Sequence, residues 1–362
     1  MAEPLKNSIG NETVEALATR FEEVDPGFKG DKLRGLASSL DDLELKERIN
    51  LIADTIAADR PYLPTLDAVV AVATDETLDI WAVWPLTSVI ERHGVDHPNE
   101  SLQAMETVTK RFSCEFAIRP FLEHHHELTF KYLDRWSTHE HEGVRRLVSE
   151  GTRPYLPWGP RVAQLTEDPE RAITLLDRLR LDPSETVRRS VANHLNDVAK
   201  FDPGLVIATL ERWSAQDPAP TQSLIRHSLR TLVKKGQPDA MRLLGFTTEP
   251  EVAVERFDCE PSTIEMGTSI EITTIIRSTA ERGSQNLVID YVIHHVKANG
   301  GTSPKVFKWT TLTLEPGETI QLAKTRRVQP ISTRVYHPGH HPIDLQIAGQ
   351  VMATTGFDLT LS

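Results

Sequence analysis

Two rhythms of apolar residues divide the chain. Up to about residue 245 they recur every three or four positions, the spacing of one helical face, as in Val187, Val191, Leu195 and Val198. Asp168-Pro169, Asp182-Pro183, Asp202-Pro203 and Asp217-Pro218 punctuate this region. Such a pair stops one helix and places proline in the first turn of the next. After Thr247-Thr248-Glu249-Pro250 the period falls toward two. Segments 270–276, 287–293 and 305–309 are rich in β-branched and aromatic residues, and 281–284, 299–301 and 315–318 read as turns.

The helical part also matches itself. Leu133-Asp134-Arg135-Trp136, Leu176-Asp177-Arg178-Leu179 and Leu210-Glu211-Arg212-Trp213 each read as the end of a helix. Val144-Arg145-Arg146 and Val187-Arg188-Arg189 follow the first two as the start of a second helix, and Leu224-Ile225-Arg226-His227 follows the third. Helix pairs recurring at roughly 34 to 43 residues suggest stacked repeats. The expected fold is an all-α HEAT-like α-solenoid over residues 1–247, followed by an all-β immunoglobulin-like sandwich of about seven strands over residues 248–362.

Beside the apolar stripe of the helix near Val187, Arg189, Asn193 and Asp197 share another face. Arg146, Glu150 and Arg153 do so one repeat earlier, and Arg226, Arg230 and Lys234 one repeat later. In a stacked array such faces line up into a basic trough with a few acids in it. Regularly spaced basic residues suit a phosphate backbone. A solvated face with i,i+4 ion pairs accounts for the same pattern.

Composition narrows the classes. A chain of 362 residues, 39% hydrophobic and 25% charged, has the make-up of a globular protein of two domains. No apolar run approaches the roughly 18 residues of a membrane span, and no leader pattern opens the chain. A cytoplasmic protein with no membrane partner is expected. The two cysteines, Cys114 and Cys259, exclude a disulfide framework and a multi-cysteine zinc site. His124-His125-His126 would point in different directions from a helix, so no metal is expected. No phosphate loop, dinucleotide fingerprint or serine-nucleophile motif occurs, and no cofactor is expected. The net charge of -12 argues against nucleic acid in general, so such a partner would need a local basic face.

Candidate chemistry lies in an echo. Glu115 stands four residues before Arg119-Pro120-Phe121-Leu122, and Glu150 three before Arg153-Pro154-Tyr155-Leu156. Each carboxylate would sit one helical turn from an arginine, just before a helix-breaking proline. Trp158 follows in a proline-flanked loop. With Asp197, three carboxylates and one ring gather near the trough. Acids among phosphate-binding arginines weaken binding and need another purpose. Stabilising a cationic transition state and orienting a water is one; plain Glu–Arg helix pairing is the alternative. Cys114, beside Phe112 and Phe116, reads as a core residue.

Most of residues 5–245 resembles the AlkC branch of the AlkD-like HEAT-repeat DNA alkylpurine glycosylases. The resemblance rests on Lys32-Leu33-Arg34-Gly35-Leu36, Trp81-Ala82-Val83-Trp84-Pro85, Glu115-Phe116-Ala117-Ile118-Arg119-Pro120-Phe121, Ser149-Glu150-Gly151-Thr152-Arg153-Pro154, Leu156-Pro157-Trp158 and Val191-Ala192-Asn193-His194-Leu195-Asn196-Asp197. It implies hydrolytic release of cationic methylated bases, 3-methyladenine and as a second candidate 3-methylcytosine, from double-stranded DNA without full base flipping. It further implies that Asp197 stabilises the sugar cation and positions water, that Trp158 packs on the deoxyribose, and that Glu115 and Glu150 reach toward the modified base. Arg146, Arg153, Arg188, Arg189, Asn193, Arg226, Arg230 and Lys234 would hold the DNA. A monomer is expected. The competing reading is a non-enzymatic repeat scaffold, since solenoids commonly bind proteins and a fold alone does not give function. In the β-region the stretch 334–341 reads equally as DNA-facing or as a plain turn, whereas Lys324-Thr325-Arg326-Arg327 reads more as a solvated strand edge than as phosphate-facing.

Overall fold

The computed structural model describes residues 5–216, 222–332 and 334–361. A helical N-terminal region is followed by an all-β region that begins at Val252. The chain divides into two compact units, Met1–Asp202 with Gln216–Ser228, and Pro203–Ala215 with Leu229–Ser362.

The first unit is built from helices whose apolar stripes face one another. The helix Glu185–Val198 buries Val187, Val191, Leu195 and Val198 completely. Each such side chain contributes roughly 1.5–3 kcal/mol. It packs against helices Glu142–Gly151, Pro169–Leu179 and Gln222–Ser228. Extended Ser184 opens it, and Glu185 places a negative charge in the first turn, where the helix dipole favours one.

The Asp-Pro pairs act in two ways. Asp168 caps the helix Pro169–Leu179 by accepting the Arg171 amide at 3.4 Å, and Pro203 opens the helix Pro203–Gln216. Asp182-Pro183 differs, because its helix begins two residues later. Asp182 instead accepts the Ser184 amide at 2.9 Å and the fork of Arg145 at 2.6 and 2.9 Å, stapling neighbouring helices. Asp217-Pro218 lies outside the described residues. The Leu-Asp-Arg strings end helices His126–Trp136 and Pro169–Leu179, while the third lies within Pro203–Gln216.

Arg226, Arg230 and Lys234 do not form one helical stripe. Gln222–Ser228 and Arg230–Lys234 are separate helices, parted at Leu229. The Ser228 hydroxyl donates to the Leu224 carbonyl at 2.9 Å, a side-chain bond that competes with the backbone ladder and bends helices.

The β-region has eight strands: β1 Val252–Glu260, β2 Thr263–Glu265, β3 Ser269–Ser278, β4 Gln285–Val296, β5 Thr302–Leu314, β6 Thr319–Arg327, β7 Gly339–Ile347 and β8 Gln350–Thr360. They form a three-stranded sheet, β1-β3-β6, and a five-stranded sheet, β2-β8-β7-β4-β5. All pairings are antiparallel except β2 with β8. Ile270, Ile272 and Ile276 of β3 meet Leu287, Ile289, Tyr291 and Ile293 of β4 in two clusters between the sheets. The opposite face of β4 is also covered, with Val288 packed by Met241 and Ala348. This double burial is why β4 reads as a nearly continuous apolar run. The run Lys324–Arg327 sits on β6, an edge strand. Among the described residues no helix is long and apolar enough to cross a membrane.

Ala348 and Gly349, both at positive φ, form the two-residue turn between β7 and β8. A Cβ on Gly349 would lie 2.1 Å from the Gly236 Cα. Gly349→Ala should therefore destabilise the β-region by roughly 2 kcal/mol or more, read as a lower denaturation midpoint. An unchanged midpoint would show that this close approach is not fixed.

Candidate active site

Six side chains of the first unit alternate in charge along one line. Arg146 donates to Glu115 Oε2 at 3.1 Å and lies 3.8 Å from Glu150. Arg153 donates Nη1 to Glu150 Oε1 at 2.6 Å and Nε to Asp197 Oδ2 at 2.8 Å. Lys200 donates to Asp197 Oδ1 at 2.8 Å. The row reads Glu115, Arg146, Glu150, Arg153, Asp197, Lys200. Three segments build it: the turn before Arg119, the helix Glu142–Gly151 with Arg153 just beyond its end, and the C-terminal half of Glu185–Val198 with Lys200 in the turn that follows.

Burial sharpens toward the middle. Glu150, Arg153 and Asp197 are 6%, 7% and 1% exposed, whereas Arg146 is half-buried. Ser190 donates to the second Glu150 oxygen at 2.6 Å and receives the Ser149 hydroxyl at 2.8 Å. Burial works against the Arg153 charge, but Glu150 and Asp197 together hold its pKa above the ordinary arginine value. Burial raises the Glu115 carboxyl; Arg146 opposes this and the neighbouring Glu150 charge adds to it. His194 is wholly buried beside this row and held neutral, with its pKa pushed down to about 4 by burial. Its Nδ1 lies 3.1 Å from the Ser149 carbonyl, which makes Nδ1 the protonated nitrogen.

Glu115, Arg146 and Glu150 face a cavity of about 400 Å³ whose other walls are mainly aromatic, Trp81, Trp84, Phe112, Phe116 and Trp158, with Leu5, Ser113 and Pro157 between them. Phe116 stacks on Trp84 with ring centroids 5.8 Å apart, and Trp84 on Trp158 at 6.5 Å, all nearly parallel. Trp158 is 64% exposed and sits at φ +63°, a left-handed conformation that is strained for a bulky residue. A rim of π-faces around carboxylates is suited to a flat, cationic group. Two larger cavities, lined by residues such as Asn11, Glu12, Thr77 and Asp79, contain none of the expected acids.

The expected residues thus divide. Glu115, Glu150 and Trp158 meet at the cavity. Asp197 does not line it and stands behind Arg153, with one oxygen toward Lys200. Glu150 pairs with Arg153 as its three-residue spacing suggests, but Glu115 does not pair with Arg119. Residues 115–118 form turns, and Pro120 lies in the first turn of the helix Arg119–His124 and does not break it. Arg119 is fully buried among backbone carbonyls, and burial pushes its pKa down to about 10.

The expected phosphate contacts also differ in exposure. Arg153 is enclosed between two acids. Arg188 donates to the carbonyls of Asp182 and Pro183, in the loop that precedes its own helix. Arg189 and Arg226 are exposed, with Glu185 3.8 Å from Arg189. Asn193 is half-buried and accepts from His227 at 2.9 Å. Arg230 is half-buried and Lys234 exposed, both in the second unit. His125 and His126 bond the carbonyls of Val95 and Leu122. Among the described residues no group of three or more His, Cys, Asp or Glu is placed to hold a metal ion. Both cysteines are free and buried, and burial raises the Cys114 thiol.

A helical unit carrying an acid-and-aromatic site, followed by a β-sandwich, defines the class, and comparison narrows it. The family model described as the C-terminal Ig-like domain of the uncharacterised protein YhaZ matches residues 253–361. The YhaZ protein of Bacillus subtilis (strain 168) is 36% identical over 270 residues, which cover 75% of this chain and 74% of YhaZ. The alkylpurine DNA glycosylase AlkC of Pseudomonas fluorescens, solved bound to DNA containing an abasic site analog, is 32% identical. It superposes with a TM-score of 0.93 over 99% of this chain and 100% of that one. The chain belongs to the AlkC family of alkylpurine DNA glycosylases.

Trp81, Trp84, Phe112 and Phe116 line the cavity but are not among the expected site residues. The signal in the sequence is their placement, since Trp81 and Trp84 are the two ends of the Trp-Ala-Val-Trp string and Phe112 and Phe116 lie within three residues of Glu115. Arg153 gives a direct test of the geometry. Arg153→Met should destabilise the protein by roughly 3 kcal/mol, because two buried carboxylates lose their shared partner. A phosphate-contact arginine on the surface would leave the denaturation midpoint unchanged.

Proposed function

We propose that the chain is a DNA-3-methyladenine glycosylase of base excision repair, which hydrolyses the N-glycosidic bond of 3-methyladenine, with 3-methylcytosine as a second substrate, in double-stranded DNA. The observation that carries this reading is the cavity in which Glu115 and Glu150 stand among five aromatic rings. Methylation of a ring nitrogen gives the base a positive charge and makes it a better leaving group. Aromatic faces and carboxylates attract that cation, and the sugar becomes oxocarbenium-like as the base departs.

In this reading Glu115 and Glu150 face the modified base and exposed Trp158 packs on the deoxyribose, so the lesion reacts in a shallow trough without full extrusion. Asp197 stabilises the sugar cation and positions the water. Lys200, the more exposed of its two cationic partners, covers Oδ1; displacement of Lys200 by a DNA phosphate would free that oxygen. Arg189, Arg226 and Lys234, all exposed, are the foremost phosphate contacts, with Asn193, Arg188 and Arg230 beside them. Arg146 and Arg153 hold the acids in place. The helices form a HEAT-like solenoid over residues 1–247, which the recurring Val-Arg-Arg helix starts support. The remaining residues form a separate domain, and the enzyme acts as a cytoplasmic monomer without a metal.

Release of free base from methylated duplex DNA tests the reading. The expected result is 3-methyladenine in the released fraction, undiminished by a chelator. A folded protein that binds duplex DNA but releases nothing would turn the reading to a scaffold. Arg189→Ala should weaken duplex binding and reduce its salt dependence by about one phosphate contact. An unaltered slope would remove Arg189 from the interface.

A further inference from the structure

Trp158 lies on a loop with no regular structure of its own, between the end of the helix Glu142–Gly151 and the helix Gln164–Glu167. Its backbone is left-handed and its ring exposed, a combination that relaxes unless neighbours hold it. Two cations outside the cavity wall supply that hold. Arg119 donates Nη1 to the carbonyls of Gly151 at 3.0 Å and Arg153 at 2.8 Å, and Nε and Nη2 to that of Pro160 at 3.1 and 2.6 Å. One buried guanidinium thus ties both ends of the loop together. At the tip, Lys46 of the helix Leu45–Ala57 donates to the Trp158 carbonyl at 2.8 Å. The same ammonium lies 4.3 Å over the Phe116 ring. The contacts close a circuit: Lys46 to Phe116, Phe116 to Trp84, Trp84 to the Trp158 ring, and the Trp158 backbone back to Lys46.

We propose that Lys46 and Arg119 are positioning residues that fix the Trp158 ring over the cavity, Arg119 by joining the loop ends and Lys46 by locking its tip. The inference rests on the glycosylase reading for its effect on rate, but the geometry it asserts is independent of substrate. Lys46 suits the task because a compact ammonium serves a carbonyl and a ring face at once, whereas the planar Arg119 fork spreads its donors over three carbonyls. A loop so held meets the sugar already in place.

The test uses Lys46→Met, which keeps the length of the side chain and removes its charge. Single-turnover release of 3-methyladenine should slow on the order of 10–100-fold, the cost of a misplaced contact group, with affinity for undamaged duplex unchanged. In a Trp158→Ala background Lys46→Met should add nothing, because its effect passes through that ring. Full activity of Lys46→Met, or a loss that multiplies with that of Trp158→Ala, would overturn the proposal. Arg119→Lys should act in the same direction; because Arg119 is buried this variant can fail to fold, and Lys46→Met then carries the test. If wild type releases no methylated base, the glycosylase reading fails and a second readout decides this one. The Gly159 amide, bonded to the Leu156 carbonyl at 3.1 Å, should exchange hydrogen faster in Lys46→Met than in wild type. Equal exchange would overturn the positioning role.

Discussion

The arginine at position 153 is the joint on which the site depends. Its guanidinium lies between the carboxylates of Glu150 and Asp197, all three nearly out of reach of water. Taking three charges out of water is costly, and Coulomb attraction repays it only where geometry and further hydrogen bonds are good. Here Ser190 fills a second oxygen of Glu150, and Lys200 one of Asp197. The consequence is positional. The helix Glu142–Gly151 and the helix Glu185–Val198 each contribute one acid to the same cation, so a shift of either helix breaks an ion pair. A purely apolar contact tolerates sliding that this one does not.

The same row explains how an acidic cluster can face a polyanion. Three acids and three bases alternate, so no net charge accumulates along the line, while each carboxylate keeps a local negative field. The aromatic rings of Trp84, Phe116 and Trp158 lower the local dielectric and strengthen that field at the cavity. A cationic ring entering there meets π-faces and carboxylates; an uncharged base gains much less. Selectivity for cationic lesions, in the proposed function, thus follows from the wall chemistry more than from shape.

Much of this was legible along the chain. The stripe Val187, Val191, Leu195 and Val198 lies in the core, the segments 270–276, 287–293 and 305–309 lie in β3, β4 and β5, and the change of period separates helices from strands. What stayed hidden was long-range. Glu115 takes its arginine from 31 residues away, not from the nearby Arg119, because the backbone between 115 and 119 turns before the helix starts. Helical spacing puts Arg189, Asn193 and Asp197 on one face but does not reveal that the face runs from solvent at Arg189 into the interior at Asp197. Nor does spacing foresee the parting at Leu229, which a single serine hydroxyl accompanies. Nor does it show that Trp84 and Phe116, both nearly buried, also form part of the cavity wall.

The central claim is that Asp197, bracketed by Arg153 and Lys200, supplies the negative charge that lowers the barrier to base departure. Asp197→Asn removes that charge while keeping the size of the side chain and one of the two acceptors that face Arg153 and Lys200, so the most direct measurement is its single-turnover excision rate alongside its affinity for duplex DNA. The account predicts a rate lower by about two orders of magnitude or more, the usual scale for losing a transition-state charge partner, with affinity equal or higher because one negative charge has left the trough. Excision at the wild-type rate by a folded Asp197→Asn protein would contradict it, and would leave the buried row as scaffolding for the acids at the cavity wall.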